Sequence, residues 1–589
     1  MKPPPDQEFI DIDRHFADFI ERFGGDERLM RMAAASLSRS IREGNICLPL
    51  TKPLPQRVEE RKEEEENNSL RWPAMKEWRS AFATSKAVGG PAAQTPLVID
   101  ASSRLYLRRY WSYQERLARA LREKASRNKT KRRGGTGTRE AAIEAAVENY
   151  LTIISGGPGT GKTTAVLDVL KYLLQQTGGQ PLRIALVAPT GKAAVRLEEI
   201  VRNGLLKLEC SDEVLARIPR TASTIHRLLG RKGNSVYFRH DQRNPLPLDL
   251  LVIDEASMVA LPLLCKVFDA LPEHCRVILL GDHQQLASVE PGAVLADIVE
   301  AAASVESPLS QAVATLKKNY RFSEKSGVHR LCEVVRQGKA DQAIQILREQ
   351  SHPDIVSREI HEAPKLVTSF AEVILNGFSS FVVEREPAGA LKKLENFRVL
   401  AALRRGPFGV EGLNREIEQI LLNAGLIPEQ ETPSYSGRPI LITKNDYQLQ
   451  LFNGDVGVLL PDPAETGDPD HLWAWFMGKE NVPRRFAPAR LPEYESAYAM
   501  TVHKSQGSEF ERVLFILPDE DVPVLTRELI YTGLTRARAK VELWWNEAAF
   551  AKGVTRRAER NSGLRDLLAA PIAKVGRPRQ EQLHLFSES

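Results

Sequence analysis

The 589-residue sequence has few cysteines, five in all, and no two of them are spaced as a Cys-x-x-Cys pair. This scarcity argues against a disulfide scaffold and against a zinc ribbon. The sequence also lacks an uninterrupted apolar run of about 18 residues, the length that a membrane-spanning helix needs. Its first residues contain no apolar stretch of the kind found in signal peptides. We therefore expect a cytoplasmic protein with no membrane segment.

The sequence also has no large excess of positive or negative charge. Lysine and arginine number 81 and aspartate and glutamate 76, which gives a formal net charge of +5. An excess this small permits a nucleic-acid partner without requiring one. Residues 122–139 carry eight basic residues, one acidic residue and three glycines, so this segment alone contributes more than the whole surplus. Its composition predicts a flexible basic linker, which we place at 116–140.

The part of the chain before this linker, residues 1–115, is predicted to be a mostly helical domain. Within it, residues 105–111 mix aromatic and basic side chains. Such a segment either forms a buried amphipathic helix with its arginines reaching solvent, or stacks on nucleic-acid bases. The buried helix is the favoured interpretation.

After about residue 140, short apolar runs alternate with amphipathic helical stretches. The runs interpreted as strands are 150–155, 182–188, 248–253, 276–280, 397–403, 513–517 and 540–545. This alternation is typical of βαβ units around a parallel sheet, and two sets of runs predict two α/β domains. Their expected bounds are 141–345 for the first, and 346–434 with 496–570 for the second. Turn-rich short strands at 435–495 predict a small inserted β-barrel, and 571–589 a flexible tail.

A glycine-rich loop lies between the first predicted strand of this region and the helix that follows. It matches G-x-x-x-x-G-K-[ST], a pattern whose backbone N–H groups surround phosphates. Lys162 is placed to reach the β- and γ-phosphates, and the Thr163 hydroxyl to ligate Mg²⁺. The expected nucleotide-binding residues of this loop are Gly156, Gly157, Pro158, Gly159, Thr160, Gly161, Lys162, Thr163 and Thr164.

Two carboxylates follow the apolar strand at 248–253. Asp254 is expected to hold Mg²⁺, directly or through water, and Glu255 to polarise the attacking water as a general base. An Asp-Glu pair alone is a weak signal, but about 90 residues after a phosphate loop it becomes a strong one. Together the two motifs predict an enzyme that hydrolyses a nucleoside triphosphate.

The order of the remaining motifs resembles that of superfamily-one helicases, and more closely the RecD family, the alpha subunits of exodeoxyribonuclease V (RecBCD). The resemblance covers about 145–345 and 397–548 and is weaker around 96–115. It rests on the two motifs above and on the segments 188–194, 224–230, 281–286, 318–322, 502–509 and 531–537. It implies two RecA-like motor domains that use ATP and Mg²⁺ to move along single-stranded DNA.

The resemblance also implies roles for single residues. Gln285 reads the γ-phosphate, Arg321 and Arg536 stabilise the transferring phosphoryl group from opposite domains, and Glu509 binds nucleotide. Lys162, Glu255, Gln285, Arg321 and Arg536 are thus the expected catalytic residues. The expected DNA-binding residues are Pro189, Thr190, Thr224, His226, Asn319, His503 and Ser505. Five of these, from Thr224 onwards, could instead cap turns or satisfy buried backbone groups.

One departure from the family concerns adenine. Superfamily-one helicases usually carry a glutamine before the phosphate-loop strand, and residues 138–144 contain none. ATP is still the expected substrate. Residues 230–247, between two motifs, are either a short hairpin near the duplex junction or a plain surface hairpin.

The same resemblance implies 5′→3′ translocation, RecB-like and RecC-like partner subunits, docking through the N-terminal domain, and nuclease activity confined to a partner. A stand-alone helicase is the alternative. Other classes are a DNA-binding subunit whose ATPase only switches conformation, against which the full set of hydrolytic residues argues, and a small-molecule kinase, which needs no second α/β domain.

The end of the chain carries a further short motif. Gln582-Leu583-His584-Leu585-Phe586 resembles the peptide by which many bacterial replication and repair proteins bind the sliding clamp. A free tail with apolar anchors suits such a groove. The alternative is a tail that packs on its own domain.

Overall fold

The structure is a computed structural model that describes residues 9–53, 72–129, 137–232, 235–304, 307–323, 325–360, 368–429, 434–446, 448–464, 471–478 and 482–570. Within these ranges, none of the helices combines the length and the apolar composition needed to cross a membrane.

The N-terminal domain combines helices with a small sheet. Its elements are α1 Asp11–Glu21, α2 Glu27–Arg42, β1 Leu48–Pro49, α3 Met75–Ala83, β2 Val88–Gly89, β3 Leu97–Ile99 and β4 Arg104–Leu107. The strands pair in the order β1-β4-β3-β2 and pack with the helices around the buried Trp78. The expectation of a mostly helical domain missed this sheet, because strands of two to four residues show no readable period.

A long helix, α4 Arg108–Ser126, follows β4 directly. Tyr106, Tyr110 and Trp111 are buried, which confirms the burial expected for residues 105–111. The expected helix is correct only from Arg108 onwards, because residues 105–107 belong to β4. The predicted linker is wrong over 116–126, which continue this helix. Lys124 is buried, and its ammonium group donates hydrogen bonds to the carbonyl oxygens of Cys275 (2.7 Å), Pro272 and Glu273 (both 3.3 Å). Residues 130–136, the centre of that segment, lie outside the described ranges.

The first α/β domain surrounds a parallel sheet of six strands in the order β10-β5-β9-β8-β6-β7. Its elements are α5 Arg139–Glu148, β5 Leu151–Gly156, α6 Lys162–Gln176, β6 Ile184–Ala188, α7 Gly191–Leu205, α8 Asp212–Arg217, β7 Ser223–Thr224, α9 Ile225–Leu229, β8 Leu250–Ile253, α10 Leu261–Asp269, β9 Arg276–Gly281, α11 Val294–Ala302 and β10 Val313–Leu316. The strands β5 and β8 are buried on both faces, which explains why their sequences are mostly apolar instead of alternating. This confirms the predicted α/β domain.

The second α/β domain begins at α12, after the segment 318–322 of the first domain. The predicted boundary at 345 is wrong, because the apolar faces of α12 and α13 pack in the core of the second domain. Its first half contains α12 Gly327–Arg336, α13 Ala340–Glu349, β11 Ile355–Glu359, α14 Thr368–Val382, α15 Pro387–Leu394, β12 Phe397–Ala401 and α16 Val410–Asn423.

The insert that follows is a five-stranded antiparallel sheet, and its expected closure into a barrel is not confirmed. Its strands are β13 Arg438–Ile442, β14 Val456–Pro461, β15 Leu472–Met477, β16 Pro483–Phe486 and β17 Tyr494–Ser496. They pair in the order β16-β15-β14-β13-β17, and among the described residues the two outer strands do not pair with each other. Strand lengths predicted the all-β character correctly, whereas closure depends on pairings that the sequence does not encode locally.

The second half of the domain returns to the parallel sheet with β18 Ala499–Thr501, β19 Phe510–Ile516, α17 Arg527–Leu534, β20 Ala537–Trp545 and α18 Glu547–Thr555. The strand order is β11-β20-β19-β12-β18, and every pairing is parallel. The prediction of two α/β domains is therefore confirmed.

Residues 556–569, which we call the strap, leave the second domain and cross to the other two. They end in α19 Leu564–Ala569, which packs on α11 and α4. The amide of Ile46 donates to the carbonyl of Asn561 (2.8 Å), and the amide of Gly563 donates to Gln114 (3.0 Å). The strap was expected to belong to the second domain. Its first residues do bond that domain, through Arg556 with Asp521 and the Ala558 amide with Glu528, whereas its later residues contact the N-terminal and first domains.

Candidate active site

The phosphate loop joins β5 to α6 at the carboxyl edge of the first sheet. Gly159 and Gly161 have φ of +76° and +79°, the left-handed region that glycine adopts without strain. The Lys162 ammonium group donates to the carbonyl oxygens of Gly156 (2.6 Å) and Gly157 (3.0 Å) and so lies over the loop. The buried Thr160 hydroxyl also donates to the Gly157 carbonyl, at 2.8 Å, whereas Thr164 is exposed in the first turn of α6.

The two predicted carboxylates lie beside this loop, directly after β8. Oδ2 of Asp254 accepts a hydrogen bond of 3.0 Å from the Thr163 hydroxyl, so the two predicted Mg²⁺ ligands are adjacent. Burial, and then repulsion from Glu255, raise the pKa of Asp254 to about 6. Glu255 itself has a φ of +50°, a conformation that costs a non-glycine residue about 1 kcal/mol. A buried carboxylate whose negative charge is disfavoured in this way is suited to binding a cation, and the oxygen atoms of Thr163 and Asp254 are ligands that fit Mg²⁺.

Arg536 enters the cleft from the second domain, at the end of α17. One of its terminal nitrogens lies 3.2 Å from Oε1 of Gln285 in the first domain. The rest of the buried guanidinium is held by the carbonyl oxygens of Thr532 (3.0 Å) and Ser508 (3.2 Å). Burial lowers the pKa of Arg536. The predicted sensor and one predicted arginine therefore meet across the domain boundary.

Glu509 is the centre of a second contact between the domains. Its Oε1 lies 2.5 Å from a terminal nitrogen of Arg321 and 2.5 Å from one of Arg196, and Oε2 lies 3.6 Å from Arg538. Burial opposes ionisation of Glu509, but Arg196 and Arg321 outweigh it and lower its pKa to about 2. Arg196 was not among the predicted site residues, because it lies two residues beyond the segment 188–194, for which only DNA contacts were expected.

Three further hydrogen bonds join the two domains across the cleft. Tyr531 donates a hydrogen bond of 3.0 Å to Oδ2 of Asp282, and the Leu286 amide donates one of 2.9 Å to the Thr532 hydroxyl. Gln506 donates to the Leu286 carbonyl at 2.7 Å. These residues flank predicted ones within the same motifs, and that proximity was the only sequence signal for them.

Comparisons with known proteins agree with this geometry. Three family models match: "RecBCD enzyme subunit RecD, N-terminal domain" at residues 6–106, "AAA domain" at 139–291 and "UvrD-like helicase C-terminal domain" at 496–543. RecBCD enzyme subunit RecD of Mycobacterium tuberculosis is 38% identical over 94% of this chain and 94% of its own length. The chain belongs to the RecD family.

Other RecD-like proteins are also similar to this family member. RecBCD enzyme subunit RecD of Haemophilus influenzae is 30% identical, with 92% of this chain and 93% of that protein covered. The ATP-dependent RecD2 DNA helicase of Deinococcus radiodurans is 32% identical over 75% of this chain but only 53% of its own length. This RecD-family chain thus matches the RecD subunits over nearly their whole length.

Two residues predicted to bind DNA face elsewhere in this RecD-family structure. The Asn319 amide group donates to the carbonyl of Pro158 in the phosphate loop (3.2 Å), and its oxygen accepts from the Arg321 and Phe322 amides (2.8 and 3.1 Å). Ser505 is fully buried and donates to the Val502 carbonyl at 2.8 Å. Both satisfy local polar groups, which favours the alternative expected for them over a DNA contact.

The other predicted DNA residues stay partly exposed. Pro189 and Thr190 follow β6, and Thr224 ends the neighbouring parallel strand β7. Thr190 and Thr224 also cap α7 and α9, accepting hydrogen bonds from the Ala193 (3.2 Å) and Arg227 (3.3 Å) amides.

The two histidines of this set are half-buried. His226 lies 5.8 Å from the ring of Phe238 in the hairpin at 230–247. Burial, with help from nearby cations, lowers the pKa of His226 and that of His503. Both rings are therefore mostly neutral at pH 7, so neither supplies a fixed cation to a phosphate.

The stretch before the phosphate-loop strand offers no glutamine in the structure either. Thr138 caps α5 by accepting a hydrogen bond of 3.4 Å from the Ala141 amide, and Arg139 pairs with Asp168 of α6. These contacts hold α5 against α6.

Proposed function

We propose that the cleft between the two α/β domains binds and hydrolyses ATP, with Lys162 on the β- and γ-phosphates and Gln285 reading the γ-phosphate. The single observation that carries this assignment is the contact of Arg536 from one domain with Gln285 from the other, on the side of the cleft that holds the phosphate loop. Arg321 is held against Glu509 at the same boundary. Motor ATPases place cations in this way at a phosphate that both domains must reach.

The chemistry follows from charge. Glu255 acts as general base on the attacking water, and Arg321 and Arg536 stabilise the negative charge that spreads over the transferring oxygens. Thr163 and Asp254 would hold Mg²⁺, which neutralises phosphate charge when it is bound. Arg321 and Arg536 belong to different domains, so both domains contact the bound phosphate. Hydrolysis of ATP and release of phosphate therefore weaken the interaction between the two domains.

The chain is an ATP-dependent DNA helicase of the RecD family. We assign contacts with single-stranded DNA to Pro189, Thr190, Thr224, His226 and His503, which lie at the carboxyl ends of strands or directly after them. Motion along the strand is 5′→3′. Unwinding of 5′-tailed but not 3′-tailed duplexes, with DNA-stimulated ATP hydrolysis and Lys162→Gln as control, tests both statements. Hydrolysis that DNA does not stimulate would refute the motor function.

The chain is also proposed to work with RecB-like and RecC-like subunits, with its N-terminal domain as the docking part. Its match to RecD subunits over nearly their full length supports this over a stand-alone helicase. Co-purification from the native host of a RecB-like and a RecC-like subunit is the expected result. A monomer alone would favour the stand-alone alternative, which the RecD2 likeness keeps open.

The chain itself is proposed to have no nuclease activity. The purified chain should leave linear DNA intact in the presence of Mg²⁺ and ATP. Degradation that a metal-site substitution abolishes would overturn this statement.

Sliding-clamp binding through Gln582–Phe586 remains a proposal on residues that lie outside the described ranges. Its basis is the Gln-Leu-x-Leu-Phe sequence near the chain end. A peptide of residues 576–589 should bind the clamp. The combination Leu585→Ala and Phe586→Ala should abolish binding by the full chain; no change in either assay refutes the idea.

A further inference from the structure

Arg196 lies on α7 of the first motor domain and, like Arg321, pairs with Glu509 at the boundary with the second motor domain. Both arginines place a terminal nitrogen 2.5 Å from the same oxygen, Oε1 of Glu509. The Glu509 side chain is 9% exposed, Arg321 15% and Arg196 34%. A single nearly buried carboxylate oxygen is therefore shared by two cations that come from different parts of the first domain.

This sharing conflicts with the role of Arg321 in hydrolysis. An arginine that stabilises a transferring phosphoryl group must place its guanidinium on the phosphate oxygens, and Arg321 is instead bound to Glu509. Moving Arg321 to the phosphate removes one of the partners of Glu509. A nearly buried carboxylate that loses its cationic partners is destabilised, so release of Arg321 is costly unless another cation stays on Glu509.

Arg196 removes that cost. We propose that Arg196 is a positioning residue, which keeps Glu509 paired while Arg321 passes from that carboxylate to the transferring phosphate. The proposal rests on the proposed assignment of Arg321 to the γ-phosphate. Arg538, 3.6 Å from the other oxygen of Glu509, is half exposed and too distant for a hydrogen bond, so it is the weaker substitute.

The exchange affects the transition state more than the bound substrate. Without Arg196, Glu509 holds Arg321 more tightly, because release would leave the carboxylate with the distant Arg538 alone. Arg321 then reaches the phosphate less often, whereas the phosphate loop and Lys162 still bind ATP. The expected signature is a lower kcat with a nearly unchanged KM for ATP.

The test is steady-state ATP hydrolysis by the full chain with single-stranded DNA. Arg196→Met should lower kcat about tenfold and change KM less than about threefold, since loss of one charge-assisted hydrogen bond costs about 1.4 kcal/mol. The kcat of Arg196→Lys should lie between those of Arg196→Met and the parent protein. The matched control is Arg202→Met, an exposed arginine near the end of the same helix, which should match the parent. Equal kcat for the Arg196→Met and Arg202→Met proteins would overturn the proposal.

A second arm separates partner exchange from a general structural role. In a Glu509→Gln background no carboxylate holds Arg321, so Arg196→Met should then lower kcat less than about twofold. A full tenfold loss in that background would also overturn the proposal. Arg321→Ala distinguishes the two levels of inference: if it leaves kcat unchanged, the proposed role of Arg321 fails, whereas a large loss with an inert Arg196→Met refutes only the role of Arg196.

Discussion

The Tyr531 hydroxyl of the second motor domain donates a hydrogen bond of 3.0 Å to Oδ2 of Asp282 in the first. The same carboxyl oxygen accepts from the amide of Gln285 at 3.3 Å, so one carboxylate connects the proposed phosphate sensor to the opposite domain. Burial, and then the nearby Asp282 charge, raise the pKa of Tyr531 well above its ordinary value, so it remains a hydrogen-bond donor across the working pH range. The interface between the two motor domains therefore includes a direct neighbour of the proposed sensor, Gln285.

Tyr531→Phe should weaken this coupling without disturbing the fold. It removes one buried hydrogen bond to a charged group, worth about 1.5–3 kcal/mol, while Asp282 keeps its contact with Gln285. We expect DNA-stimulated kcat to fall several-fold and the melting temperature to change little. Stopped-flow measurement of phosphate release checks this; undiminished DNA stimulation would contradict it.

Gly157 is expected to be intolerant of even a methyl group, because of Tyr531. A β-carbon at Gly157 would lie 2.8 Å from the Tyr531 hydroxyl oxygen, closer than real contacts allow. Gly157→Ala should therefore lower ATP hydrolysis at least about tenfold by displacing the loop or opening the cleft.

The double variant Gly157→Ala with Tyr531→Phe should recover activity to the level of Tyr531→Phe alone, because the clashing oxygen is gone. Measured kcat values of the four proteins form a complete cycle. If the double variant is as inactive as Gly157→Ala, the clash lies with the nucleotide rather than with the second domain.

Asn319→Ala should impair the nucleotide site and spare DNA binding. Asn319 bonds the phosphate loop at Pro158 and orders the backbone that carries Arg321. We expect roughly a tenfold loss in kcat/KM for ATP, as for loss of one or two hydrogen bonds. Affinity for fluorescent single-stranded DNA without nucleotide should stay within about twofold.

His503→Ala supplies the contrast to Asn319→Ala, since we assign His503 to DNA. It should weaken binding of the same fluorescent DNA and leave KM for ATP nearly unchanged. Reversed effects of the two substitutions would restore the sequence-based assignment of Asn319.

Asp297 should make stability depend on pH. It lies on α11 under the strap, where burial raises its pKa to about 7. The folded state therefore binds a proton that the unfolded state has lost, so the contribution to stability falls as the pH rises from about 4 to about 7. Asp297→Asn should stabilise the protein by roughly 1–3 kcal/mol at pH 8, and the gain should vanish towards pH 4.

Melting temperatures measured between pH 4.5 and 8.5 check this prediction. Asp212→Asn, an exposed aspartate at the start of α8, is the matched control and should show no pH-dependent gain. A gain for Asp297→Asn that is equal at all pH values would show that Asp297 is ionised in the folded protein.

Short sequence patterns correctly predicted the parts of the fold that neighbouring residues specify. The phosphate loop, the strand that delivers Asp254 and Glu255, and the two parallel sheets were all expected from short contiguous segments. The structure of such a segment is specified by residues close together in the sequence, because loop glycines, apolar strands and amphipathic helices each span only a short stretch. The inserted sheet was expected as β structure, but its open edge depends on which outer strands meet.

Predictions based on residue type were wrong where burial of the side chain determines its role. The basic segment at 122–139 suggested a solvated linker, yet Lys124 is buried because three carbonyl groups after α10 accept its hydrogen bonds. Asn319 and Ser505 belong to motifs that resemble DNA-contacting ones, but their own hydrogen bonds point into the protein. No property of these side chains, taken one at a time, distinguishes the two outcomes.

The sequence by itself determined that this chain has two ATPase domains of helicase type, and it predicted the loop, the carboxylates and the arginines to which we assign the chemistry. Only the tertiary structure decided how the domains communicate: Tyr531 and Asp282 are 249 residues apart, and Arg196 and Glu509 are 313 apart. The physical reason is that an ion pair or hydrogen bond between distant segments depends on how two sheets are placed against each other. That placement is a property of the packed molecule, and no short stretch of sequence contains it.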